Sequence, residues 1–164
     1  MHGRARLSDA SARRRRPTRA GATVTAGVLL VGSALAGCAR APEVVTAPQA
    51  LAGVCASARW PASVSGHERV ATEPDVPSAA AWGDPAIIAR CGLAPLGPTT
   101  DQCVAVDDVD WVVRPLSDGT KATTYGRDPA IEVLVPSAYG PAPLLLPVFT
   151  DLARTLPSTG RRCS

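Results

Sequence analysis

Apolar residues fall at every second position in three stretches of the C-terminal half of the chain: Val104/Val106, Val109/Trp111/Val113 and Ile131/Val133/Val135. A period of two places each set on one face of a pleated strand, which predicts strands over 102–106, 109–115 and 130–135. Thr120 to Tyr125 reads as another strand between them, and "AIIARC", Ala86 to Cys91, as one before them. Polar breaks separate these runs. Asp107-Asp108 is a two-residue turn whose aspartates tolerate left-handed backbone angles, Asp118-Gly119 is a stronger turn signal, and "GRDP" turns the chain once more.

The flanks of the domain change period. Pro48 to Arg59 carries Leu51, Val54, Cys55 and Ala58 at helical spacing, and Trp60-Pro61 ends it. Residues 61–81 hold Pro61, Pro74 and Pro77 and predict an irregular connection with a short strand at Arg69 to Thr72. At the other end, Pro141 and Pro143 suit a first helical turn. Leu145, Phe149, Leu152, Ala153 and Leu156 then form a stripe, although Pro147 lies within it. The expected fold class is α+β: an antiparallel β-meander of about four to five strands, with an N-terminal and a C-terminal helix packed on one face.

A different pattern precedes residue 40. Seven arginines from Arg4 to Arg19 are followed by a run without charge from Ala20 to Ala39, the layout of a secretory signal peptide. Leu35-Ala36-Gly37-Cys38 at its end resembles the bacterial lipobox. That resemblance implies a thioether diacylglycerol on Cys38 and a cut just before it, with the small Ala36 and Gly37 suiting a narrow peptidase cleft. An uncleaved anchor and an ordinary secreted form are the rivals; as an anchor the run is a poor span, being rich in Gly, Ala and Thr rather than Leu or Ile. Arg13 to Arg16 also admits a twin-arginine signal, although the large apolar residue expected after it is missing. The expected organisation is a signal peptide at 1–37, a lipidated tether at 38–47 and one globular domain at 48–164. The protein is then lipid-anchored on the extracytoplasmic face of the cell membrane.

Removing the leader reverses the charge. The chain has 17 basic and 14 acidic residues, and 7 and 1 of these lie in residues 1–37. The remaining 127 residues carry 10 against 13, a net −3. Nucleic-acid partners are therefore not expected, because no basic stripe is left to neutralise phosphates. Arginine outnumbers lysine sixteen to one. With abundant Ala and Pro, this is the composition of a GC-rich, actinobacterial-type genome.

Four cysteines remain outside the cytoplasm: Cys55, Cys91, Cys103 and Cys163. An even number in an exported chain predicts two disulfides. Three pairings exist; the expected one joins Cys91 to Cys103 across a short loop and Cys55 to Cys163 between the domain's ends. No metal and no cofactor is expected, since there is no Cys-x-x-Cys and no zinc spacing around the single histidine after residue 37, His67.

No catalytic set stands out. Ser65 and Glu68 adjoin His67 without a Gly-x-Ser-x-Gly elbow, and Asp107, Asp108 and Asp110 sit where a turn selects aspartate for backbone reasons. Trp82, Asp84, Tyr125, Arg127 and Tyr139 form the candidate binding surface, because aromatics beside arginine compose binding hot spots. The competing structural reading, which is preferred, makes Trp82 and Trp111 core plugs and pairs Arg127 with an aspartate near a turn.

Four segments, "AWGDPAIIARCG", "DQCVAVDDVDW", "TTYGRDPAIEVLVPSAYG" and the closing helix, resemble a family of actinobacterial lipoproteins known only as a domain of unknown function. The resemblance spans roughly Ala50 to Pro157 and implies an envelope location without an established activity. The expectation is a non-enzymatic binding module for an envelope protein or a cell-wall component. An envelope hydrolase and a structural spacer are the alternatives.

Overall fold

The computed structural model describes residues 40–164; the expected signal peptide and Cys38 lie outside the described residues. Eight strands follow in order: β1 (Ser63–Val64), β2 (His67–Val70), β3 (Ala79–Trp82), β4 (Ile87–Leu93), β5 (Gln102–Val106), β6 (Val109–Pro115), β7 (Gly119–Tyr125) and β8 (Ala130–Pro136). They form one sheet in the order β1-β2-β3-β4-β8-β7-β6-β5, with every neighbouring pair antiparallel. Two four-stranded meanders thus meet where β4 pairs with β8.

The expected four-to-five-strand meander flanked by two helices is therefore incorrect. Among the described residues the α-helix consists of α1 (Gly53–Ala56) and α2 (Thr150–Thr155), of four and six residues. A 3-10 turn at Ser137–Tyr139 precedes the expected C-terminal helix, and two more, Ala142–Leu144 and Leu146–Phe149, replace its first part. Proline explains this: Pro147, past the first turn, has no N–H for the i→i−4 ladder and its ring crowds the carbonyl four residues back, so only the proline-free residues after 149 become α-helical. The apolar stripe survives the change. Leu145, Phe149, Leu152, Ala153 and Leu156 are all buried.

Alternation assigns the two sheet faces. Trp82, Ile87, Ala89, Cys91, Ile131, Val133, Val135, Ala122, Trp111 and Val113 point to the face that the 3-10 turns and α2 cover. At the centre of this core Trp82 lies edge-on to Trp60, with ring centroids 6.3 Å apart, and to Phe149 at 5.5 Å. Trp82 Nε1 donates to the Pro61 carbonyl at 3.0 Å and Trp60 Nε1 to that of Pro77 at 2.8 Å, which satisfies both indoles. Each such ring removes ~150–250 Å² from water, roughly 4–6 kcal/mol before ordering entropy is subtracted.

The disulfides are Cys55–Cys91 and Cys103–Cys163, not the expected pairs. Topology is the reason. The β4–β5 connection is no hairpin: three strands lie between β4 and β5, so Cys91 and Cys103 sit four inter-strand steps of ~4.8 Å apart along the sheet. They also face opposite sides, Cys91 opposite Ile131 on the core face and Cys103 opposite Val112 on the other. Cys55 from α1 reaches Cys91 on the core side, and both are fully buried.

Candidate functional site

The five expected surface residues do not form one surface. Trp82 is 0% exposed and belongs to the core. Tyr139 is half-buried beside the β3–β4 turn, where its hydroxyl donates to the Pro85 carbonyl at 2.7 Å and its ring meets that of His67 at 4.6 Å. Asp84 is exposed in the same turn. Tyr125 and Arg127 lie elsewhere, at the end of β7 and just beyond it. Arg127 Nη1 donates to the Leu156 carbonyl at 2.9 Å, binding the end of α2 rather than an aspartate. Tyr125 lines a polar depression of about 180 Å³ with Asp101, Cys103, Arg162 and Cys163.

The other residues weighed for chemistry have structural partners. His67 begins β2 instead of lying in a loop. Asp107 and Asp108 have φ of 47° and 65°, the left-handed pair that a tight hairpin turn requires. The Asp107 carbonyl accepts from Arg154 at 2.7 Å, and Asp110 Oδ2 accepts from the Cys163 amide at 3.0 Å. The Thr99 hydroxyl, and after it the Arg114 guanidinium, hold the Asp101 carboxyl below its ordinary pKa. Among the described residues no group of three or more His, Cys, Asp or Glu side chains is placed to hold a metal ion.

The second face of the sheet has two halves. One end lies under chain. Residues 42–50 cross it as Val44 donates to the Glu73 carbonyl at 2.8 Å, Glu73 to that of Pro42 at 3.0 Å, Arg90 to that of Val45 at 3.1 Å and Gln49 to that of Gly92 at 2.8 Å. Val44 and Ala47 are buried there. The last residues cross it on the far side, held by Thr159 N–H on the Gly126 carbonyl at 2.9 Å and by Cys103–Cys163. Two glycines with positive φ admit these crossings. A Cβ on Gly92 would lie 2.6 Å from the Ala50 nitrogen, and one on Gly126 would collide with the Arg161 carbonyl. Under this cover Glu132, 3% exposed, meets Arg90 Nη2 at 2.7 Å and Lys121 Nζ at 3.9 Å. A carboxylate so deep needs such partners.

The other half presents apolar side chains. Val70, Ala86, Ile88 and Leu134 are half-buried and Leu116 is 42% exposed. They line two open depressions that share Ala86: one of about 140 Å³ around Ile88, Leu116 and Leu134, the other around Val70 and residues Arg40, Ala41 and Pro42, with Glu68 and Asp84 beside them. The sequence carries a signal for this surface in Ile87-Ile88 and Val133-Leu134-Val135, where apolar residues occupy both parities of a strand and so both faces of the sheet.

The described residues thus define an antiparallel sheet domain, cross-linked at both ends, with one packed face and one half-open face. The chain belongs to the family "Protein of unknown function (DUF3515)", whose model matches residues 20–159. No curated protein and no solved structure matches it.

Proposed function

We propose that this chain is an actinobacterial-type extracytoplasmic lipoprotein, held in the cell membrane by a diacylglyceryl thioether on Cys38, and that its domain is a non-enzymatic binding module of the envelope. The observation that carries the reading is Leu35-Ala36-Gly37-Cys38 closing an uncharged run behind a basic leader. Two disulfides support it, since such bonds persist in oxidising compartments outside the cytoplasm. A polar depression lined by Tyr125, Asp101 and Arg162 supports a binding role. The partner is an envelope protein or a cell-wall component.

Metabolic labelling with a fatty acid tests the anchor. Wild type incorporates label, whereas Cys38→Ala does not and accumulates as unprocessed precursor; labelled Cys38→Ala contradicts the proposal. Photo-crosslinking from the domain in intact cells tests binding and is expected to capture a discrete partner. Turnover of a wall or lipid substrate by the purified domain, abolished by a point mutation, would overturn the non-enzymatic reading.

A further inference from the structure

We propose that the half-open sheet face around Val70, Ala86, Ile88, Leu116 and Leu134 rests on the lipid surface of the membrane that holds the anchor. The inference deepens the anchored reading and depends on the lipid at Cys38. Its basis is the short sequence distance between Cys38 and the first residue hydrogen-bonded to the domain, and the place where that residue sits. Composition alone makes residues 38–47 a tether holding the domain off the membrane, yet from Pro42 onward the chain is bound down: Pro42 and Val44 bracket Glu73 with two backbone hydrogen bonds, and Val44 is buried. The leash from Cys38 to Pro42 is only four residue steps, roughly 14 Å when fully extended. A domain on so short a leash cannot stand clear of the headgroups, and the side on which the leash emerges must face them.

That side is the half-open face. Arg40, Ala41 and Pro42 line the same depression as Val70 and Ala86. Depressions floored by Ala86, Ile88 and Leu134 give apolar area to the interface, with Leu116 at the margin. Glu68 and Asp84 on the rim oppose close contact with anionic lipid, so a zwitterionic surface is the better fit. The opposite side of the domain carries Val148, 45% exposed, in the 3-10 turn Leu146–Phe149 that covers the core.

Leu116 and Val148 therefore make a matched pair of similar exposure on opposite sides of a two-layer structure, about 10 Å or more apart. A coumarin amino acid is placed at one position or the other in the full chain. The processed protein is purified from cells and reconstituted into phosphatidylcholine vesicles containing a headgroup-spin-labelled lipid. Quenching several-fold stronger at 116 than at 148 is the expected result. Equal quenching, stronger quenching at 148, or none at either site overturns the orientation; the last is the outcome of a dimer formed through this face. Intact mass of the same samples reports the lipid on Cys38 separately, so failure of the anchor and failure of the orientation are distinguishable. Peptide mapping of both disulfides verifies folding, and if the label at 116 prevents it, exposed Asp118 in the same depression takes its place.

Discussion

Replacing Gly92 with alanine tests how tightly the N-terminal segment is fixed to the sheet. Gly92 sits at the register shift between Cys91 and Leu93 with φ of +109°, and its carbonyl accepts the Gln49 amide at 2.8 Å. An alanine Cβ there would lie 2.6 Å from both the Ala50 nitrogen and the Gln49 carbonyl carbon. These are backbone atoms beside the Cys55–Cys91 cross-link and have little room to retreat. The backbone conformation costs about 1–2 kcal/mol for an L side chain and the overlap about 1–3 kcal/mol, together roughly 2–5 kcal/mol. Urea unfolding of the oxidised domain reads this directly. Gly97→Ala, where no atom lies within 4 Å and φ is not left-handed, is the control and should stay within about 0.5 kcal/mol of wild type. Limited proteolysis should also open residues 43–50 in Gly92→Ala. Stability within about 0.5 kcal/mol of wild type would refute the claim that this segment is clamped.

Three further outcomes are expected. Non-reducing peptide maps show 55–91 and 103–163, and replacing either pair with alanine lowers unfolding free energy by about 3–4 kcal/mol from loop closure over sequence separations of 36 and 60. Asp101→Asn removes a carboxylate whose folded pKa is depressed by Thr99 and Arg114. Wild type therefore exceeds the variant in stability above the unfolded pKa of ~3.9, and the difference vanishes as pH falls through the lower folded value; urea midpoints at about pH 6 and about pH 2 check the sign. Asp108→Val forces a branched side chain into φ of 65° and costs about 1–2 kcal/mol by thermal melt, whereas Asp108→Asn is close to neutral.

How much of this was legible depended on whether a residue's neighbours lie close in sequence. β5, β6 and β8 follow from the alternation of Val104/Val106, Val109/Trp111/Val113 and Ile131/Val133/Val135, β7 from the turn signals on either side of it, and the Asp107-Asp108 turn from its chemistry. β3 was hidden because Ala79-Ala80-Ala81-Trp82 has no alternation: every residue is buried, two against each face. The C-terminal stripe was readable, but the helix was not, because the same residues remain buried on 3-10 turns that proline tolerates. Disulfide pairing was illegible because the return of β8 beside β4 moves Cys91 and Cys103 apart, a long-range event without a local signature. Trp82 is buried although it adjoins a turn, because proximity to a turn says nothing about which face of the strand a ring takes. The half-open face did leave a trace in Ile87-Ile88 and Val133-Leu134-Val135.

Intact mass spectrometry of the protein extracted from native membranes tests the central claim most directly. The account predicts a chain beginning at Cys38, heavier than residues 38–164 by the mass of a diacylglyceryl group or that group plus an amide-linked acyl chain. A chain that retains residues 1–37, or one whose Cys38 carries no lipid, contradicts it.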